Sequence, residues 1–251
     1  MNLRQRLRAG EELLCFSVNF ASPTVVEMGA IAGFDFYNID TEHGPMDIGV
    51  VDEMVRAADS AGVPPIVRPP NNDPDTILRI LDVGAAGIMA PGICSRADAR
   101  ALVDAVKYPP LGKRGLGIVR ANRWGDEPAA DSTKRANEET VIIPLIEDIA
   151  AVEAIDQILE VDELDLIWLG PADLSQSMGL TGQYGHPELQ AAIRRVVEAA
   201  RAAGRGAGVA VGAVDQIETL RAIGYTCLAV QAKTLLINGG REYVKAFRGE
   251  A

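Results

Sequence analysis

Eight times along the chain, a short apolar run rich in β-formers gives way to a longer Ala-rich stretch with helical spacing. The runs are LLCFSVNF (13–20), FDFYNID (34–40), PPIVRP (64–69), AGIMAP (86–91), TVIIPLIE (140–147), LDLIWL (164–169), GAGVAV (206–211) and TCLAVQ (226–231). They read as continuous apolar runs, not alternating ones, as parallel strands covered on both faces do. The intervening stretches carry helix signals. Ser22-Pro23 opens one, and Val50, Met54, Val55 and Ala58 share one face of another. Gly33, Gly62, Gly84, Gly204 and Gly224 close several, as residues in the left-handed region do. Eight such units in 251 residues predict an α/β chain folded as a single-domain (β/α)8 TIM barrel spanning 1–251. The rival, a doubly wound sheet, needs a Gly-rich fingerprint after the first strand, and LLCFSVNFASP has none.

The pattern breaks once, at about 108–140 (YPPLGKRGLGIVRANRWGDEPAADSTKRANEET), which is too long and too polar for an ordinary βα connection. GKRGLG lacks the upstream glycine that a phosphate loop requires. A lid or a subunit-contact segment carrying Arg114, Arg120 and Arg123 is the expectation. The 35 acidic against 24 basic residues, a formal charge of −11, argue against nucleic acid as a partner. A small anionic substrate needs only one or two local arginines. No apolar run reaches the ~18 residues of a membrane span. Cys15, Cys94 and Cys227 are widely spaced and form no CxxC pair. No secretory leader is expected, because MNLRQRLRAG has no apolar segment. A cytoplasmic setting follows as the expectation.

In a barrel of this kind function gathers where the strands end. The second run ends in IDTEHG, bringing Asp40, Glu42 and His43, and the third in VRPPNNDP, bringing Arg68. The fourth brings no ionisable group, the fifth brings Glu147, the sixth Asp173, and the eighth ends near Lys233. Glu147 and Asp173 each fit an ordinary first-turn helix acid, and His43 fits a structural role. Together they suit a hard divalent cation, Mg²⁺ or Mn²⁺, with Co²⁺ a further candidate. Such an ion could bind a 2-oxo acid, polarise its carbonyl and stabilise an enolate. Arg68 could hold the same oxyanion. His43, with an ordinary pKa near neutrality, could move a proton. A Schiff-base lysine is the other route to this chemistry, and only Lys233 is placed for it.

The motifs IDTEHGP, VRPPNNDP, LLDVGAAGIMAP, YPPLGKRGLG, LIED and IWLGPADLSQSMG fall in one order and spacing over nearly the whole chain. By these the sequence resembles the metal-dependent (class II) pyruvate aldolases of the HpcH/HpaI type. These lyases cleave 4-hydroxy-2-oxo acids to pyruvate, or a related 2-oxo acid, and an aldehyde. The resemblance implies Glu147 and Asp173 as metal ligands, Arg68 on the keto-acid carbonyl, and His43 as acid/base. It also implies Asp40 as a nearby active-site acid and Asp82 as an acid supporting the histidine across a subunit contact. Gly170 and Pro171 would turn the chain so that the Ala172 and Asp173 amides receive the substrate carboxylate. A homo-oligomer, a hexamer of exchanged-helix dimers, is likewise implied. The sequence departs from the family at Leu145, where Gln is common, and at Ala232 and Lys233. An oxaloacetate decarboxylase, or another enzyme making C–C bonds through an enolate, is the alternative on the same site. A non-catalytic barrel binding a keto acid is the third reading.

Overall fold

The computed structural model describes residues 1–250. Eight strands form a closed barrel in chain order: β1 (Leu13–Val18), β2 (Phe36–Asp40), β3 (Pro65–Arg68), β4 (Gly87–Ala90), β5 (Val141–Ile146), β6 (Leu166–Leu169), β7 (Gly206–Ala210) and β8 (Cys227–Gln231). Every pair is parallel, including the closing pair, in which Leu13 lies beside Cys227. The expected TIM barrel is what the chain forms, and each strand falls within its apolar run. The five helix-closing glycines all take positive φ, from 68° to 113°.

Side chains alternate between two cores. Leu13, Cys15, Phe36, Ile66, Met89, Val141, Ile143, Leu145, Leu166, Trp168, Cys227 and Ala229 fill the barrel interior. The opposite faces of the strands pack against the helices in a larger cluster. The widest interior side chain, Trp168, lies across Gly208 of β7, where a Cβ would collide with the indole. That close approach explains why β7 is glycine-rich.

The N-terminal end of the barrel is closed by a helix the apolar pattern does not announce, Leu3–Arg8, started by an Asn2/Gln5 capping box. Leu3 and Leu7 enter the interior cluster. Asp165, the one acid in the sixth apolar run, is wholly buried. Its Oδ1 accepts from Arg4 Nε (2.8 Å) and Arg8 Nε (2.5 Å), and its Oδ2 from the Ile142 amide (3.0 Å). The carboxylate thus clamps the plug helix to β5 and β6, and its burial is offset by full pairing.

The interruption holds a 3-10 turn (Arg120–Gly125) and a helix (Ala129–Glu139). Its backbone is tied to the preceding helix Arg96–Val106 by buried side chains. Lys107 Nζ donates to the carbonyls of Asn137 (2.9 Å) and Thr140 (2.6 Å), and Asn137 exchanges hydrogen bonds with the Tyr108 backbone. The segment packs at the N-terminal end of the barrel. There a cavity of about 660 Å³ lies beside Pro64, Ala86 and Thr140, each just ahead of a strand. Among the described residues no helix is long and apolar enough to cross a membrane.

Candidate active site

Asp40, Arg68 and Glu147 follow the same inward parity as the interior cluster and lie beyond it toward the strands' C-terminal ends. Parity and position therefore bring them to one mouth. A cavity of about 470 Å³ opens there, lined by Glu42, His43, Gly92, Cys94, Glu147 and Asp173 among others. Four of the expected residues, His43, Arg68, Glu147 and Asp173, thus converge with Asp40.

Asp40 and Arg68 sit side by side in the β2–β3 register. The guanidinium donates Nε to Asp40 Oδ1 (2.9 Å) and Nη2 to Oδ2 (2.6 Å), a bidentate fork with both side chains largely buried. Asp40 Oδ1 also accepts the Glu42 and His43 amides, each at 3.2 Å, which folds the IDTEHG loop back over the strand end. Gly44 is required in that loop, since a Cβ would strike the Asp40 and Asn19 carbonyls. Arg68 Nη1 lies 3.0 Å from Glu42 Oε2, close enough for an ion pair but not aligned for a hydrogen bond. Burial opposes the Arg68 charge, yet the bond to Asp40 and the fields of Asp40, Glu42 and Glu147 prevail and hold its pKa above the usual value.

Glu147 leaves β5 facing the mouth. Gly170, at the end of β6, permits this, because a Cβ there would lie 3.0 Å from Glu147 Cβ. Glu147 Oε1 accepts from the Gly92 amide at 2.9 Å. Burial, with repulsion from Glu42 and Asp173, nevertheless raises its pKa against the opposing pull of Gly92 and Arg68. Asp173 stands in the first turn of the helix Pro171–Ser177. That helix has Gly170 as its N-cap and no side-chain cap, so its first amides, including those of Ala172 and Asp173, have no capping side chain. His43 is open to solvent, its side chain 59% exposed with Nε2 3.9 Å from Glu42 Oε2.

The chemistry of this donor set fits a hard cation. Three carboxylates approach one another, the half-buried Glu147 is destabilised as an anion, and Arg68 is partly neutralised by Asp40 and Glu42 while keeping Nη1 free of hydrogen bonds among the described residues. Among the described residues no group of three or more His, Cys, Asp and Glu is placed to hold a metal ion. Two protein carboxylates with open positions are instead the pattern expected of Mg²⁺ or Mn²⁺.

One expected residue, Asp82, lies elsewhere, and Lys233 is the solvated first-turn residue its setting suggests. Asp82 ends the helix Pro74–Asp82, at the opposite end of the barrel, where its Oδ1 accepts from Arg114 Nη2 (2.8 Å). Within one chain it does not reach His43. Lys233 is exposed in the first turn of the helix Ala232–Arg248. One contributor gave no signal in the sequence, and another gave only part of one. The Gly92 amide comes from the one strand end with no ionisable group, and a backbone donor leaves no residue-type signal. Glu42 was visible as an acid, but its place between Arg68 and His43 depends on the loop's fold.

Comparison with known proteins follows this geometry. The HpcH/HpaI aldolase/citrate lyase family profile matches residues 13–237. The hydroxypyruvate/pyruvate aldolase of Pseudomonas aeruginosa is 36% identical over 99% of this chain and 93% of its own length. The 4-hydroxy-2-oxo-heptane-1,7-dioate aldolase of Klebsiella pneumoniae is 36% identical over 97% of this chain and 92% of its own. A crystal structure of an HpcH/HpaI aldolase/citrate lyase family protein from Burkholderia cenocepacia J2315 superposes with a TM-score of 0.93 at 32% identity, covering 98% of each chain. The barrel, the residues at its mouth and these full-length similarities agree: the chain belongs to the HpcH/HpaI aldolase/citrate lyase family.

Proposed function

We propose that the protein is a class II, divalent-metal-dependent aldolase that reversibly cleaves a 4-hydroxy-2-oxo acid to pyruvate, or a related 2-oxo acid, and an aldehyde. The observation that carries this reading is the approach of Glu147 and Asp173 beside an Arg68 pinned by Asp40. Glu147 and Asp173 would hold Mg²⁺ or Mn²⁺, which supplies Lewis-acid polarisation of the substrate carbonyl. The names of the two aldolase relatives support the substrate class.

The chain's own groups account for the rest. Arg68 presents its guanidinium to the 2-oxo oxygen, where negative charge grows as the C3–C4 bond breaks. Asp40 keeps that guanidinium from swinging away and, through the Glu42 and His43 amides, fixes the loop bearing His43. The Ala172 and Asp173 amides receive the substrate carboxylate after the turn at Gly170-Pro171. His43 takes the C4 hydroxyl proton as C4 becomes the aldehyde carbonyl, the bond electrons passing to C3 and the 2-oxo oxygen. Protonation at C3 then yields the 2-oxo acid.

Assembly belongs to the same reading. The helix Ala232–Arg248 carries Leu236 (73% exposed) and Phe247 (94%), and Ile31 is similarly bare, as a helix exchanged between copies would be. The segment 108–140 lies away from its own mouth, so we assign it to subunit contact, where Asp82 and the 122–125 turn would meet a neighbour's His43. A homo-oligomer, a hexamer by family, in a reducing cytoplasm fits these features and the free thiols of Cys15, Cys94 and Cys227.

The test is a panel of 4-hydroxy-2-oxo acids and oxaloacetate, assayed for pyruvate release with and without Mg²⁺ or Mn²⁺. Metal-dependent retro-aldol release supports the assignment. Full activity after exhaustive chelation would remove the metal mechanism, and oxaloacetate decarboxylation far faster than any aldol cleavage would replace the reaction.

A further inference from the structure

The wall of the mouth facing Glu147 is polar in a way the proposed reaction does not use. In a closed eight-stranded barrel β1 lies four strands from β5 in either direction, so the two ends stand across the mouth from each other. Ser17 continues the inward parity of Leu13 and Cys15 on β1, Asn38 that of Phe36 on β2, and Gln231 that of Cys227 and Ala229 on β8. Register sets Ser17 beside both Asn38 and Gln231. The three therefore form one contiguous polar face, just above an interior that is otherwise apolar.

Their hydrogen bonding is incomplete. Asn38 is 5% exposed, and its Nδ2 donates to Ser17 Oγ at 3.2 Å. Its Oδ1 is buried without a partner among the described residues, a costly arrangement in a barrel interior. Because Ser17 Oγ accepts from Asn38, its own proton is left to be donated, and the residue is only half-buried. Gln231 is also half-buried and, although it is the N-cap of the helix Ala232–Arg248, its side chain makes no capping bond. Glu147 and Asp173 stand on the far side of the mouth, while Asp40 and Arg68 lie on the near side, two residues beyond Asn38 and Ile66 along their strands. On β7 the small, exposed Ala210 leaves room on this side for the aldehyde portion of the substrate, whereas Gly208 is covered by Trp168.

We propose that Ser17, held in position by Asn38, and Gln231 form a subsite that hydrogen-bonds a hydroxyl group on the acceptor aldehyde. The preferred acceptors are then short hydroxyaldehydes, not alkyl aldehydes of the same length. This inference rests on the aldolase reading and names the substrate class of that site. Ser17 and Gln231 touch the substrate in this arrangement, and Asn38 is a positioning residue. A polar subsite discriminates because an alkyl acceptor leaves its donors and acceptors unpaired.

The test uses the metal-loaded enzyme with pyruvate as donor and compares kcat/KM for glyceraldehyde and propanal. Glyceraldehyde is intrinsically more electrophilic, so the quantity read is the change in this ratio between variants. Ser17→Ala and Gln231→Leu are each expected to lower the ratio by about 3- to 10-fold, the range of one hydrogen bond. Ser17→Thr, which keeps the hydroxyl, is expected to retain it. Ratios unchanged within about twofold in both Ser17→Ala and Gln231→Leu overturn the inference. Exchange of the pyruvate C3 protons with solvent deuterium by the wild type, which needs no aldehyde, separates the two claims. Its absence overturns the aldolase reading and this inference together, whereas exchange with unchanged ratios overturns this inference alone. Substituting hydroxypyruvate for pyruvate with propanal checks the source of the hydroxyl. If a Ser17-dependent gain appears there and not with glyceraldehyde, the acceptor assignment is wrong.

Discussion

Replacing Asp40 with asparagine tests whether one fork of hydrogen bonds organises the mouth. The substitution preserves shape but not pairing. If the new carboxamide keeps its oxygen at the Oδ1 position, its NH2 meets Arg68 Nη2, two donors where the wild type has a 2.6 Å bond. If it turns over, the Arg68 Nε bond and both loop amides lose their acceptor. Breaking a buried ion pair by removing one partner costs about 3–5 kcal/mol. Here Glu42, 3.0 Å from Nη1, retains part of the compensation. The expected loss of stability is therefore about 2–3 kcal/mol. A displaced guanidinium should lower kcat/KM by about 10²-fold. The assay is urea unfolding at fixed pH in the presence of chelator, so that metal linkage does not enter. Asp40→Asn, Arg68→Met and the double variant complete a cycle, with a coupling energy above about 1.5 kcal/mol expected. Coupling near zero, with a loss under about 1 kcal/mol for Asp40→Asn, would refute the claim that this pair holds the site together.

Other consequences are open to measurement. His43→Ala should reduce retro-aldol turnover by about 10²-fold or more while leaving calorimetric Mn²⁺ affinity nearly unchanged, and an unchanged turnover would end its acid/base role. Borohydride reduction with pyruvate should trap no adduct by mass spectrometry, whereas an adduct on Lys233 would establish Schiff-base chemistry instead. Burial pushes Lys107 down to about 7, so between that pH and its unfolded pKa the unfolded chain binds a proton that the folded chain lacks. Stability relative to Lys107→Met should then rise with pH through this window, by about 2–4 kcal/mol in total. Parallel urea-midpoint profiles for the two proteins would show that the carbonyls of Asn137 and Thr140 keep the ammonium charged throughout. Gly208→Val should lower the unfolding free energy by about 1–3 kcal/mol or more by forcing Trp168 aside, and an unshifted melting curve would count against a tightly filled interior.

The barrel was readable because its strands are covered on both faces, which turns each into an unbroken apolar run. The mouth was readable because strand ends are where ionisable residues break such runs, as at Asp40, Arg68 and Glu147. Other elements gave no such signal. The helix Ala129–Glu139 buries Ser132 and Asn137 and has no apolar stripe to find. The plug helix hides Leu3 and Leu7 among three arginines, and two of those belong to Asp165, far along the chain. The helical pattern after β5 is split into two short helices, Ile149–Glu153 and Ile155–Leu159, meeting at Ala154.

The pairing of Leu13 with Cys227 bears on how the chain is made. Synthesis runs from the N-terminus, so β1 emerges early and waits with one edge bare until β8 is released. Until then the nascent protein is an open sheet whose two ends both offer unpaired backbone groups to other chains. Any truncation before Cys227 makes that interval permanent. The last strand thus acts as the latch for the first, and premature termination before it leaves a nearly complete sheet that is prone to aggregate.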